Sequence, residues 1–318
     1  MTDIAKIADV IKNNNSFAIA VHVNPDGDCL GSSSALLIAL RSMQKKAHIL
    51  LDGDVPKRLS CLVDEDFFGN PDDDYDVCIA VDVASTYMMG SVFERAFRRA
   101  PVTCCIDHHG TNSGYADYNF VDADAAAAAE AVYVFIKDYL KAEITAPIAE
   151  RIYTAIASDT GSFQYSNTTS RTHDIASELL KYNFDAPAVM RNLFEKKTLN
   201  QLLLKSEVIS ALEFFCDGKV CFATVDRPLL EKYSMAFEHA DDLASLPRSI
   251  DGVEVGVYIK EKGKNEVKLS LRSNEYIDVA AIAQKLGGGG HIRAAGVTMH
   301  CTKEQAVKTV IEEIEKVM

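Results

Sequence analysis

Short apolar runs bounded by polar turns alternate with longer mixed segments up to about residue 185. The run 17–23 is apolar except for His22, and those at 47–51, 77–83 and 102–106 are likewise mostly apolar. Strands buried on both faces of a sheet have this character. Between the runs, a loop at 24–29 leads into a small-residue helix predicted over 31–43. Further helices are predicted over 125–140, with an alanine-rich packing face, and over 168–182. Another runs to Ser158, with Pro147 in its first turn, where a missing N–H costs nothing. Strands alternating with helices indicate βαβ units and a mainly parallel sheet flanked by helices.

After about residue 185 the pattern changes. Asp185-Ala-Pro187 reads as a helix start, and the segment to about residue 211 is nearly all helical in character. Strands are predicted at 220–225, 253–260 and 266–271, the last two joined by a turn at 261–265 that contains Gly263. Asp278 is placed to cap a helix over 279–286 and Thr302 one over 303–317. The expected fold class is therefore α/β. A catalytic domain spans 1–186, a helical linker 187–213, and a smaller α/β domain 214–318.

The 318 residues suit two domains, and 48% hydrophobic content is ample for two cores. No stretch approaches the ~18 consecutive apolar residues of a membrane span. The first sixteen residues are amphipathic and of mixed charge, without a secretory apolar block, so a cytoplasmic protein with no membrane association is expected. Eight cysteines contain no CxxC pair and read as reduced, mostly buried thiols. A net charge of −13 argues against binding duplex DNA, which requires neutralising many phosphates. It does not exclude a small phosphate ester, because divalent cations in a carboxylate site reverse the local charge.

Four acidic clusters carry the chemistry. His22-Val-Asn-Pro-Asp26-Gly-Asp28 follows the first strand, and its Pro and Gly enforce a turn that can gather the three ionisable side chains. The same segment also reads as an Asx-rich turn capping the next helix. Asp82 ends the third strand, Asp107-His108-His109 the fourth, and Asp159-Thr-Gly161 follows a helix. Each alone has an ordinary explanation as a cap or turn. Together they put five carboxylates and three imidazoles at the carboxyl edge of one sheet, where α/β proteins bind ligands. Such a cluster without cations suffers repulsion and desolvation. Two divalent cations roughly 3.5–4 Å apart, sharing a hydroxide, remove that problem and clamp a phosphoryl group. Oxygen and imidazole donors suit Mn²⁺ or Mg²⁺ better than thiolate-seeking metals.

The order His-x-Asn-Pro-Asp-x-Asp, strand-end Asp, Asp-His-His, Asp-Thr-Gly resembles the DHH phosphoesterase superfamily, with all four motifs intact. The resemblance implies one metal on His22, Asp26 and Asp82, and a second on Asp28, Asp82, His108 and Asp159, with Asp82 bridging. It makes Mn²⁺ the expected ion, with Mg²⁺ as the alternative. Asp107 would orient a ring, and His109 would face the substrate and assist the leaving group.

In the second domain, Arg272-Ser273 and Gly287–Gly290-His291 can approach an anion through guanidinium and backbone N–H groups. This stretch resembles the DHH-associated nucleotide-binding domain, which implies that Arg272, Ser273, Gly288, Gly289, Gly290 and His291 hold substrate. These 318 residues show no Lys/Arg-dense pyrophosphatase motif, and neither an oligonucleotide-binding barrel nor a sensory segment is expected. The compact nano-RNase and pAp-phosphatase type remains. The expected activity is degradation of two- to five-nucleotide RNAs to mononucleotides and conversion of pAp to AMP. Alternatives are a cyclic-di-AMP or pApA phosphodiesterase and a catalytically silent nucleotide sensor. Partners would be short single-stranded RNA, pAp or linear dinucleotides, with homodimerisation left open. His48, His173 and His239 match no motif and read as ordinary surface or core residues.

Overall fold

The computed structural model describes residues 2–237, 240 and 243–318, apart from the side chain of His291; His239 lies outside the described residues. The chain forms two compact units, residues 1–196 and 197–318.

The first unit is built on strands β1 (Ser16–Ala20), β2 (Lys46–Leu50), β3 (Val77–Val81), β4 (Val102–Asp107) and β5 (Tyr118–Val121). They form one sheet in the order β2-β1-β3-β4-β5, every pair parallel. Successive side chains enter different cores. Phe17, Ile19, Val77, Ile79, Val81, Cys104 and Ile106 belong to one, whereas Ala18, Ala20, Cys78, Ala80 and Cys105 belong to the other. This two-sided burial is why the strands carry mostly apolar runs. After β2 the chain returns to the far side of β1, so the strand order switches direction between β1 and β3. A crevice opens there at the carboxyl ends of the strands.

Helices α1 (Asp3–Asn13), α2 (Gly27–Ser42), α3 (Ser91–Arg99), α4 (Ala128–Val134), α5 (Ala146–Asp159), α6 (Ser170–Leu179) and α7 (Ala186–Met190) accompany the sheet. α2 begins four residues earlier than its composition predicts. Gly27 reads as a breaker, yet it is helical; glycine is needed there because a Cβ would collide with the Ser158 side chain on α5. Gly31 repeats the arrangement one turn on, where a Cβ would lie 2.6 Å from the Arg151 carbonyl oxygen and 2.8 Å from Ala155 Cβ. The two glycines let α2 and α5 pack backbone against backbone. The helix expected over 125–140 starts at Ala128 and becomes π-helical over Phe135–Leu140. Neither α3 nor the half-buried β5 was anticipated from the apolar pattern.

The second unit carries β6 (Glu213–Phe215), β7 (Val220–Val225), β8 (Val255–Gly263), β9 (Glu266–Ser273), β10 (Gly289–His291) and β11 (Ala294–Met299). Their order is β10-β11-β9-β8-β7-β6, antiparallel except for β7 with β8. β8 runs through most of the expected turn, which narrows to Lys264-Asn265. α10 (Val279–Lys285) and α11 (Lys303–Glu315) pack on one face; α8 (Leu199–Ser210) and α9 (Arg227–Lys232) contribute to the other. Asp278 caps α10 through the Ala280 and Ala281 N–H groups, and Thr302 forms a capping box with Gln305. The helical stretch across 187–213 divides between the units: Val189 and Leu193 enter the first unit's core, Leu204 and Val208 the second's. Among the described residues no helix is long and apolar enough to cross a membrane.

Candidate metal centre

β1, β3 and β4 end side by side, and each delivers an ionisable side chain. His22 follows β1, Asp82 follows β3, and Asp107 closes β4 with His108 and His109 behind it. The packed pair α2 and α5 supplies the rest. Asp28 lies in the first turn of α2 and Asp159 is the last residue of α5, so the close approach at Gly27 and Gly31 sets them facing one another.

His108 is the hub. Its Nδ1 donates to the Ala125 carbonyl at 3.3 Å, which leaves Nε2 with a lone pair. That nitrogen lies 3.8 Å from Asp28 Oδ2, 3.6 Å from Asp82 Oδ1 and 3.5 Å from Asp159 Oδ2. Asp82 Oδ2 is 3.7 Å from His22 Nε2 and its Oδ1 is 3.6 Å from His109 Nδ1. These separations are too long for direct hydrogen bonds and leave room for an ion between the groups. Among the described residues, donor atoms converge in three sets: Asp28, His108 and Asp159; Asp82, His108 and His109; and His22, Cys29 and Asp82.

Asp82 fits a bridging position. It is 3% exposed and has φ +59°, a left-handed conformation tolerated by aspartate. Its Oδ1 is buried and has no hydrogen-bond partner among the described residues. An orphaned buried carboxylate oxygen is costly unless a cation meets it. Burial first, then repulsion from Asp28, Asp26, Asp159 and Asp107, drives its pKa far upward. Burial and carboxylate neighbours likewise raise Asp28 and Asp159, whereas burial lowers His22. The residues present therefore fit divalent cations.

Asp26 and Asp28 occupy different settings. Asp26 is the N-cap of α2, with Oδ1 accepting from the Cys29 N–H at 3.0 Å, and it joins none of the three converging sets. Cys29 stands in its stead, but burial and nearby carboxylates push its thiol well up. Asp28 accepts the Ala128 and Ala129 N–H groups and thereby caps α4 as well. Asp107 accepts from the His108 backbone N–H and from His109 Nδ1, each at 2.8 Å, and from Asn112 Nδ2 at 2.7 Å. Burial opposes its ionisation, but those donors prevail and hold its pKa below the ordinary range. Its hydrogen bond raises His109 in turn. The ring Asp107 orients is thus His109.

In the second unit, Arg272 on β9 and His291 on β10 both pair with Ala294, placing them in one row across three strands. Most of the glycine run has a local cause. Gly287 has φ +85° and, with Gly288, donates back to Gln284 and Ala283 in a Schellman end to α10. A Cβ on Gly288 would strike the Gly296 carbonyl, and Gly290 has φ +149° against Ala294 and Ala295. Gly289 has neither constraint and open space where a side chain would be. Ser273 is 1% exposed, with its hydroxyl donated to the Ile277 carbonyl at 2.6 Å. Glu254, also buried, accepts the N–H groups of Glu275, Tyr276 and Ile277, fixing the loop after Arg272-Ser273.

The N-terminal domain of the DHH family matches residues 16–158, and the DHHA1 domain matches residues 217–318. A Thermus thermophilus protein named bifunctional oligoribonuclease and PAP phosphatase NrnA is 33% identical across 98% of this chain and 93% of its own. The protein belongs to the DHH phosphoesterase family. It is accordingly a phosphate-ester hydrolase. A Bacillus subtilis protein of the same name is 27% identical across 89% of each chain. The crystal structure of an exopolyphosphatase-related protein from Bacteroides fragilis shares the fold, with TM-score 0.90 at 24% identity over 99% of this chain and 96% of that one.

Within this DHH protein, several contributors to the site carried no sequence signal. The Ala125 carbonyl and the Ala128 and Ala129 N–H groups act through backbone alone. Asn112 lay in an undistinguished polar loop. His48 contacts Tyr75 and His173 stacks on Phe163, both away from the converging donors.

Proposed function

We propose that the protein is a divalent-metal-dependent hydrolase of short oligoribonucleotides and of pAp. The observation that carries this reading is the convergence of Asp28, Asp82 and Asp159 on His108 Nε2, with one of the Asp82 oxygens orphaned. The substrate class follows from the relatives' names over near full-length matches. His22, Asp26 and Asp82 would hold one cation and Asp28, Asp82, His108 and Asp159 the other. The mixture of carboxylate and imidazole donors favours Mn²⁺, with Mg²⁺ second. Bound there, such cations would polarise the phosphoryl group and lower the pKa of an attacking water.

The chain's own groups handle position and protons. Asp107 accepts the His109 Nδ1–H and shifts that imidazole towards its protonated form, so Nε2 would give a proton to the departing oxygen. In the second unit, Arg272, His291 and the open backbone at Gly289 would hold the nucleotide's other phosphate, with Gly288 and Gly290 shaping the strand that presents it. Ser273, buried and bonded to the Ile277 carbonyl, would act only by holding the loop that follows Arg272.

A panel of dinucleotide RNA, pentanucleotide RNA, pAp, pApA and cyclic di-AMP in Mn²⁺, comparing wild type with Asp82→Asn, tests this. Wild type should hydrolyse the short RNAs and pAp, and the variant should be inactive. Full activity of the variant would overturn the shared-ligand assignment. Preference for cyclic di-AMP would move the substrate to the signalling alternative.

A further inference from the structure

Immediately beyond Asp159 the backbone turns left-handed for three consecutive residues: Gly161 at φ +54°, Ser162 at +64° and Phe163 at +62°. Glycine accepts this freely, but serine and phenylalanine do so only under strain. The turn is held from several sides. Thr160 Oγ1 donates to the Ile156 carbonyl at 2.6 Å and accepts the Phe163 N–H at 3.0 Å. The Ser162 N–H reaches the Ala157 carbonyl at 2.8 Å, and the N–H groups of Gln164 and Tyr165 both return to Thr160. The Phe163 ring stacks on His173 and lies against Tyr153. At the far end, Asn167 Nδ2 donates to the carbonyls of Ala126 and Asp159, tying the loop back to the metal centre.

This construction fixes one side chain. The Tyr165 ring lies where the Cβ of any residue other than glycine at 161 would be, two positions beyond Asp159. Tyr165 nevertheless remains 45% exposed. The left-handed turn at 161–163 leaves the Tyr165 ring packed over Gly161. A half-exposed aromatic ring packed on Gly161, two residues beyond Asp159, suits one ligand chemistry, the flat face of a nucleobase.

We propose that Tyr165 is the stacking surface for the nucleobase adjoining the scissile phosphate, an inference that rests on the hydrolytic reading of the metal centre. Stacking is indifferent to base identity, so this device selects nucleosides over simple phosphate esters without reading sequence.

Calorimetric binding to the full-length protein in Mn²⁺ tests it, using a dinucleotide with a non-hydrolysable methylenephosphonate linkage and its abasic counterpart. Wild type and Tyr165→Phe should prefer the base-bearing ligand by roughly tenfold or more. Tyr165→Ala should bind both alike. The proposal is overturned if the alanine variant keeps the preference, if the phenylalanine variant loses it, or if wild type has none. A purely structural ring would weaken both ligands together in Tyr165→Ala and leave the ratio intact, which also counts against it. Failure of the hydrolytic reading would appear separately, as no turnover of a cleavable dinucleotide by wild type.

Discussion

The Asp28 carboxylate accepts the Ala128 N–H at 2.6 Å across a separation of one hundred residues, and its second oxygen takes the Ala129 N–H at 3.0 Å. One side chain thereby fastens the start of α4 to the start of α2 while facing His108. Replacing Asp28 by alanine strands two buried donors. We expect a loss of roughly 2–4 kcal/mol in urea unfolding, from about 1–3 kcal/mol per stranded group with partial relaxation, together with loss of hydrolysis.

The raised carboxylates make a prediction about pH. Burial and mutual repulsion lift Asp28 to about 7 and Asp159 to about 8, above the unfolded range near 4, and Asp82 rises in the same direction. A group with a raised folded pKa binds more protons folded than unfolded, so stability falls as pH rises through that window. His109 is raised and acts in the same sense; His22 is lowered and opposes it. In EDTA the melting temperature should fall from pH 5 to pH 8. Saturating Mn²⁺ should flatten or reverse that slope, because the cations stabilise the ionised forms. A metal-free melting temperature that climbs over this range would contradict the account.

Gly31 tests the helix pair. Alanine there needs space held by the Arg151 carbonyl and Ala155 Cβ, both within 3 Å of its new atom. Forcing α2 from α5 should cost about 1–3 kcal/mol. It should also lower kcat more than it raises KM, because Asp28 and Asp159 face each other through this contact.

Asp107→Asn removes the charge that raises His109 while keeping a side chain of similar shape. If His109 donates the proton to the departing oxygen, the alkaline limb of the kcat profile should move to lower pH. An unmoved limb with a uniformly lower rate would assign Asp107 to positioning alone.

Glu254→Gln probes the second unit. The amide keeps one acceptor but brings an N–H towards three backbone donors. A loss of about 1.5–3 kcal/mol is expected in thermal or denaturant unfolding. KM for pAp should rise, because the loop after Arg272 is no longer fixed.

Much of this was legible because β3 and β4 are buried on both faces, so their ends at Asp82 and Asp107 stand out as abrupt changes of polarity. What was not legible depends on distant partners. The need for glycine at 27 is set by Ser158 across the packing interface, and the Asp28 cap by Ala128 and Ala129. The glycine run at 287–290 was read as an anion cradle. Structurally, Gly287 ends a helix while Gly288 and Gly290 permit strand pairing, leaving Gly289 as the position without such a reason. Arg272 and His291 are brought into one row by strand pairing that no local pattern encodes.

The alternation of side chains between two cores along β1, β3 and β4 has a consequence for misfolding. A strand slipped by one position would turn its interior residues to the opposite core and carry its terminal ligand about 3.3 Å along the sheet. Correct burial and a correctly assembled metal centre are thus the same alignment. A misregistered molecule would be unstable and inactive together, rather than a folded enzyme with altered specificity.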